Sequence, residues 1–249
     1  MVRISAVSYL NTKPFLHGLE ISLVKNISIS LDIPSECARK LLENEVDLGL
    51  IPVAVIPQLK EAHILPYFCI GADGPVESVK LYSQVPLAEI KTIILDYHSR
   101  TSVTLARVLA NEYWQISPDW KKAEAGFESS VSGTTAAVII GDRTFKLNGT
   151  FNYEFDLAGE WKKMTGLPFV FACWVSNKAL DENFKLEFNK ALDAGLQDID
   201  TVIKEESPKY LPFDVENYLL RSLKLRLNKQ GEAAIALFLD KMKQLPPLP

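Results

Sequence analysis

Short apolar runs alternate with amphipathic stretches along the whole chain. Ile4 to Val7 reads as a buried strand. A helix follows, with Thr12 at its cap position and Pro14 in its first turn, where a missing N–H costs nothing. Ile27 to Ile33 alternates apolar and polar residues, and Pro34-Ser35 opens an amphipathic helix through Leu42. Val46 to Ile51 is a second buried strand, closed by Pro52. Ile64 to Ile70 is another apolar run, broken by the turn Gly71-Ala72-Asp73-Gly74-Pro75, and Ser78 to Ser83 alternates again. This β-α-β-α-β order predicts a mostly parallel sheet with helices on both faces.

The alternation restarts at Ile90. Thr92 to Leu95 predicts a strand, Asp96 to Arg100 a turn, and Thr101 to Trp114 a helix. Ala136 to Ile140 predicts a buried strand ending at Gly141-Asp142. A helix over Ala158 to Met164 leads through Thr165-Gly166-Leu167-Pro168 into the long strand Phe169 to Val175. The last third is helical, from about Asp181 to Glu205 and from Lys229 to Lys243. The pattern therefore predicts an α/β protein of two lobes, residues 1–83 with 173–249 and residues 84–172. Two extended runs, Ser78–Gln84 and Phe169–Ser176, join them. The C-terminal helices pack back on the first lobe in this reading. Ligands of open α/β sheets sit at the carboxyl ends of strands, so a cleft between the lobes is the expected site.

Composition narrows the function classes. With 249 residues and 47% hydrophobic content, the chain can bury a full core. A formal net charge of −4, with no run of Lys or Arg, argues against a nucleic-acid surface. Cys37, Cys69 and Cys173 are scattered and suit small buried positions in a reducing compartment. His17, His63 and His98 are isolated, with no ligand spacing around them, so a metal site is not expected. Apolar stretches such as Leu167 to Val175 fall short of the roughly 20 residues that cross a bilayer. Ser5, Ser8, Tyr9, Asn11 and Thr12 interrupt any leader-like run. The expectation is a soluble, cytoplasmic protein without membrane partners; the sequence sets no oligomeric state.

Three turns carry the candidate chemistry. Ser8-Tyr9-Leu10-Asn11-Thr12 follows the first strand and opens a helix, where hydroxyls, an amide and free N–H groups can hold an anion. His98-Ser99-Arg100-Thr101-Ser102 does the same after Asp96, with a guanidinium added. Gly141-Asp142 is the third, where glycine lets the backbone approach a ligand closely. Plainer readings stand beside these. Ser99 or Thr101 can simply cap a helix, Arg100 can pair with Asp96 or Asp142, and Gly141-Asp142 can be an ordinary strand–helix turn. His98 reads as an exposed turn residue. Phe169, Phe171 and Trp174 read as hinge and core packing, with Trp174 also able to stack on a flat ligand.

Taken in order, several segments resemble the chorismate dehydratases of the futalosine route to menaquinone. They are Val7-Ser8-Tyr9-Leu10-Asn11-Thr12-Lys13-Pro14, Asp47-Leu48-Gly49-Leu50-Ile51-Pro52-Val53, Ser99-Arg100-Thr101-Ser102-Val103 and Ile140-Gly141-Asp142. Trp161 and the run Thr165 to Ala172 complete the set. The likeness covers about residues 3–175; the C-terminal helices share only the family's character. It implies a two-lobed fold of the type II periplasmic-binding-protein kind, used as an enzyme. That enzyme converts chorismate to 3-[(1-carboxyvinyl)oxy]benzoate, without metal or organic cofactor. It also implies Asn11 and Ser78 as catalytic positions, with Ser83 a neighbouring alternative to Ser78. Substrate contacts then fall on Ser8, Tyr9, Thr12, Ser99, Arg100, Thr101, Ser102, Gly141, Asp142 and Trp174. His98 departs from the small polar residue expected there. Two other readings share the fold: a non-catalytic small-anion solute-binding protein, which needs export, and the sister 1,4-dihydroxy-6-naphthoate-forming enzyme, whose N-terminal turn differs.

Overall fold

The computed structural model of the chain describes residues 1–22 and 24–247. The first strand, β1 (Val2–Val7), buries four residues in succession, from Ile4 to Val7. It is an inner strand, parallel to β2 (Ile27–Asp32) on one side and to β3 (Leu48–Pro52) on the other. Helices α1 (Lys13–Ile21) and α2 (Pro34–Leu42) provide the connections, each with proline in its first turn. After β4 (His63–Ala72) the chain leaves this sheet, and β5 (Val79–Ser83) begins another.

The second sheet continues with β6 (Thr92–Leu95), β7 (Asp119–Lys122), β8 (Thr135–Ile140) and β9 (Tyr153–Asp156). Helix α3 (Arg100–Leu109), prolonged by a π-helical turn over Ala110–Trp114, joins β6 to β7. Helix α4 (Leu157–Thr165) then leads back, and β10 (Phe169–Ser176) enters the first sheet. The chain ends with α5 (Glu182–Gln197), α6 (Ile199–Tyr210), the short α7 (Val215–Asn217), β11 (Lys224–Arg226) and α8 (Lys229–Lys243).

Among the described residues the sheets have the orders β11-β4-β10-β3-β1-β2 and β7-β6-β8-β5-β9. They are mixed, where the alternation of elements predicts mostly parallel pairing. In the first sheet β10 runs antiparallel to both β3 and β4, and in the second β5 runs antiparallel to β8 and β9. The cause is the crossing itself: β5 and β10 enter their sheets from the opposite lobe. Hydrogen bonding puts all of Val79–Ser83 in the second sheet and all of Phe169–Ser176 in the first. The links between the sheets are therefore residues 73–78 and 157–168, a few residues earlier than the extended runs read as crossings. The sequence-based division at 83/84 and 172/173 cuts behind these links, and its last two residues, 248–249, lie outside the described ones.

Both links are fastened by one carboxylate. Asp156 Oδ2 accepts the N–H groups of Val76 and Glu77 at 2.9 and 2.7 Å, and Oδ1 accepts those of Ala158 and Gly159 at 3.1 and 3.0 Å. The same side chain thus caps α4 and ties the outgoing link to the returning one. On the first lobe, α5 lies across α1, with Gly18 and Gly195 at the crossing. Helix α8 packs on β10 and reaches α3, bridging the lobes.

Candidate functional site

The carboxyl ends of β1 and β3 and those of β6 and β8 face one another, and the cavity left between them is small, about 40 Å³. That is room for water and not for a ring-sized molecule, so a ligand enters this space only when the lobes part. Much of the wall is apolar, with Val7, Ile70, Val76, Ile140 and Phe171 among its residues. Polar groups enter from three places: Tyr9 and Asn11 after β1, Ser78 before β5, and Ser99 and Ser102 at the start of α3. No Lys, Arg, His, Asp or Glu is part of this wall among the described residues. An anion held here meets neutral donors and the positive end of α3 instead of a side-chain cation.

Each polar group is set by its local fold. The chain leaves β1 through a short 3₁₀ turn, Leu10–Thr12, which swings Asn11 toward the cavity. Thr12 stands at the N-cap position of α1 but makes no cap bond; its hydroxyl donates instead to Asn11 Oδ1 at 3.0 Å. Ser99 does cap α3, accepting from the Ser102 N–H at 3.2 Å and the Ser102 hydroxyl at 3.1 Å, while both residues line the cavity. The capping and ligand-facing readings of Ser99 are therefore compatible. Ser78 lies 2.8 Å from the Tyr218 hydroxyl. Ser83, at the far end of β5, is bonded within its own turn to both backbone groups of Val85.

Of the remaining residues singled out from the sequence, Gly141 lies on the wall and the others lie around the cavity, outside it. Ser8 is exposed. Arg100 is also exposed, with its guanidinium donating to Gln58 Oε1 at 3.3 Å. Thr101 is buried and accepts the Ala54 N–H from the opposite lobe at 3.1 Å. Trp174 is completely buried, edge-on to Phe15 and Phe188. Asp142 takes the Leu10 N–H at 3.1 Å and the Tyr210 hydroxyl at 2.8 Å, so it holds the first lobe against the second. Gly141 has φ +74°, and a Cβ there would lie 2.7 Å from the Tyr9 ring. What approaches its backbone is thus a side chain of this protein, at the closed mouth of the cleft.

The electrostatics sit just behind the wall. Asp96 is buried and accepts the N–H groups of His98 and Ile140 at 2.9 and 3.0 Å, and Arg143 pairs with it. Burial raises the Asp96 carboxyl above its usual range, with Arg143 pulling the other way. Arg143 therefore takes the role that the sequence offered to Arg100 as a partner of Asp96. His98 is half-buried, and its Nδ1 lies 2.5 Å from the Tyr9 hydroxyl across the cleft. Burial first, and Arg143 second, lower its pKa to about 4, so it is neutral at pH 7 and can accept the Tyr9 proton in a hydrogen bond.

Sequence reasoning missed Tyr218, the neighbour of Ser78. It comes from a π-helical turn, Tyr218–Ser222, in a segment with no strand–turn–helix signature. It also missed the apolar wall. The burial of β10 on both faces hides which of its residues turn to the cavity; Phe171 and Ala172 do, and Trp174 does not.

Comparison with known proteins agrees with this architecture. Over 184 residues the chain is 29% identical to the chorismate dehydratase of Thermus thermophilus, covering 67% of this chain and 66% of that enzyme, just under two thirds of its length. Among solved structures, a protein from Archaeoglobus fulgidus superposes with a TM-score of 0.78 at 13% identity, covering 98% of this chain and 97% of the other. A Candida albicans protein described as having the generic periplasmic-binding-protein fold gives 0.65 at 14% identity, covering 98% and 89%. The alkanesulfonate-binding protein of Xanthomonas axonopodis pv. citri gives 0.63 at 18% identity, covering 99% and 94%. At such identities the structural likenesses establish the fold, a two-lobed periplasmic-binding-protein-like architecture. The family model for menaquinone biosynthesis matches residues 2–244, nearly the whole length, and the chain belongs to that family.

Proposed function

We propose that this protein is a lyase that dehydrates chorismate to 3-[(1-carboxyvinyl)oxy]benzoate, with Asn11 and Ser78 as its catalytic residues. The observation that carries the reading is the cavity itself: an apolar pocket between the lobes into which Asn11, Ser78, Ser99 and Ser102 project, with no ionisable carboxylate, imidazole or amine in its described wall. The family and the Thermus thermophilus relative support it. Chorismate has an apolar ring face, a ring hydroxyl and two carboxylates, and the cavity offers counterparts to the ring, the hydroxyl and one carboxylate. The ring meets the apolar wall, and a carboxylate meets the start of α3 at Ser99 and Ser102. Arg100, close to that helix start but turned outward, adds field without direct contact.

The chemistry needs little from the protein. A ring C–H bond breaks and its electron pair becomes part of the aromatic ring; the C–O bond to the hydroxyl breaks, the oxygen leaves with the C–O bonding pair, and the proton taken from the ring passes to it to complete a water molecule. In this reading the substrate's enolpyruvyl carboxylate takes the ring proton, since the wall offers no general base. Asn11 and Ser78 orient and polarise the departing hydroxyl. Closure of the lobes excludes water and fixes the geometry, the lobes hinging at 73–78 and 157–168. A cytoplasmic setting goes with the reading, because Cys37, Cys69 and Cys173 are buried and unpaired, as suits a reducing compartment.

The test is to incubate the protein with chorismate, follow the loss of cyclohexadiene absorbance, and identify the product by mass and proton spectra. Stoichiometric appearance of the aromatic ether is the expected result. Chorismate recovered intact, with calorimetry showing tight binding of a small anion, would overturn the lyase reading in favour of a binding protein.

A further inference from the structure

Tyr218 is the buried neighbour of Ser78, one of the two proposed catalytic residues. It lies 140 residues from Ser78 in sequence, in the turn that follows α7, and only 1% of it is exposed. Its hydroxyl is 2.8 Å from Ser78 Oγ. Burial raises the phenol far above its ordinary pKa, with the Ser78 bond pulling the other way, so the group keeps its proton. Edge-on contacts with Phe145 and Phe213, at ring separations of 5.2 and 5.5 Å, hold the Tyr218 ring in place.

These bonds decide which way the catalytic side chains are polarised. When Tyr218 donates to Ser78 Oγ, the serine's own proton is free to turn into the cavity. Asn11 Oδ1 already accepts the Thr12 hydroxyl at 3.0 Å, which leaves the amide's N–H groups to face outward. We propose that Tyr218 and Thr12 are positioning residues that fix Ser78 and Asn11 as hydrogen-bond donors toward a single substrate oxygen, the ring hydroxyl that departs. The inference rests on the dehydratase reading and gives it a direction. As the C–O bond breaks, negative charge gathers on the leaving oxygen. Two donors already aimed at that point stabilise it, whereas an Asn or Ser free to present a lone pair would oppose it.

Four variants test this: Tyr218→Phe, Ser78→Ala, their combination, and Thr12→Val, with steady-state dehydration of chorismate and a melting curve on each. Tyr218→Phe keeps the ring and its aromatic contacts and removes only the hydroxyl. The expected result is a kcat about 10- to 100-fold lower, less than the roughly 100- to 1000-fold loss when a donor to the transition state is itself removed, with KM within about threefold of wild type and an unchanged melting temperature. The double variant should be no slower than Ser78→Ala alone, because Tyr218 acts only through Ser78. Thr12→Val, equal in shape, should lower kcat in the same way. Wild-type kcat in a folded Tyr218→Phe protein, or losses that multiply in the double variant, would overturn the inference while the dehydratase reading stood. An inactive wild-type protein would overturn the dehydratase reading, and this inference with it.

Discussion

Asn11 offers the cavity a group that no apolar side chain can imitate. Replacing it with Leu keeps the volume and removes both hydrogen-bonding functions. The expected outcome is a normally folded protein that still binds chorismate and loses most of its turnover, with kcat falling more than KM rises. Steady-state kinetics beside a melting curve check this, and wild-type turnover would remove Asn11 from the mechanism. Gly141 is a second single-residue test. Its positive φ and the 2.7 Å approach to the Tyr9 ring both oppose a Cβ, so Gly141→Ala should cost about 1–3 kcal/mol in urea unfolding. Several such residues were legible in the sequence because strand–turn–helix junctions announce themselves: Asn11, Ser99, Ser102 and Gly141 all lie on the wall. Asp142 was legible as a position and not as a role, because its partners Leu10 and Tyr210 come from distant parts of the chain. Tyr218 had no local mark at all.

At the level of elements, the strongest constraint on the Asn11 turn is the helix that follows it. Helices α1 and α5 cross so closely that a Cβ on Gly195 would lie 1.9 Å from the Pro14 carbonyl oxygen, and one on Gly18 2.0 Å from that of Ala191. Gly195→Ala should therefore push α5 away from α1 and cost about 2–3 kcal/mol, the upper part of the overpacking range, measured by denaturant unfolding. A stability within 0.5 kcal/mol of wild type, about the neutral range for surface changes, would show that the helices separate freely. The sequence revealed the long apolar strands and the amphipathic helices but not β7, β9 and β11. Their sequences, DWKK, YEFD and KLR, are only three or four residues long, rich in charge and at sheet edges, too short for an alternation or an apolar run to stand out. Crossing points were misplaced for a related reason: β5 and β10 are extended on their own account, and only their pairing partners reveal the sheet to which each belongs.

For the whole molecule, the closed cleft is a matter of a few bonds between lobes, and one of them is sensitive to acid. His98, joined to Tyr9, has its pKa lowered from 6.5 to about 4 in the folded chain. Above pH 6.5 it is neutral in both states and its contribution is complete. Between pH 6.5 and about 4 only the unfolded chain takes up the proton, so stability falls as the pH falls through that window. In His98→Gln the melting temperature should decline less steeply over the same interval than in wild type. Parallel curves for the two proteins would show that His98 is no more hindered from protonation when folded than when unfolded.

Strand order has a further consequence, for the time course of folding. β10 lies between β3 and β4, so two strands made early in synthesis have no mutual pairing and wait for one that begins at Phe169. The second sheet has no such debt, since all its strands fall between Val79 and Asp156. Its contacts are shorter in sequence and close at lower entropic cost. Pulse-labelled hydrogen exchange during refolding should therefore protect amides of β6 and β8 before those of β3 and β4. On the ribosome, the N-terminal half of the first sheet should stay open to proteases until β10 has emerged.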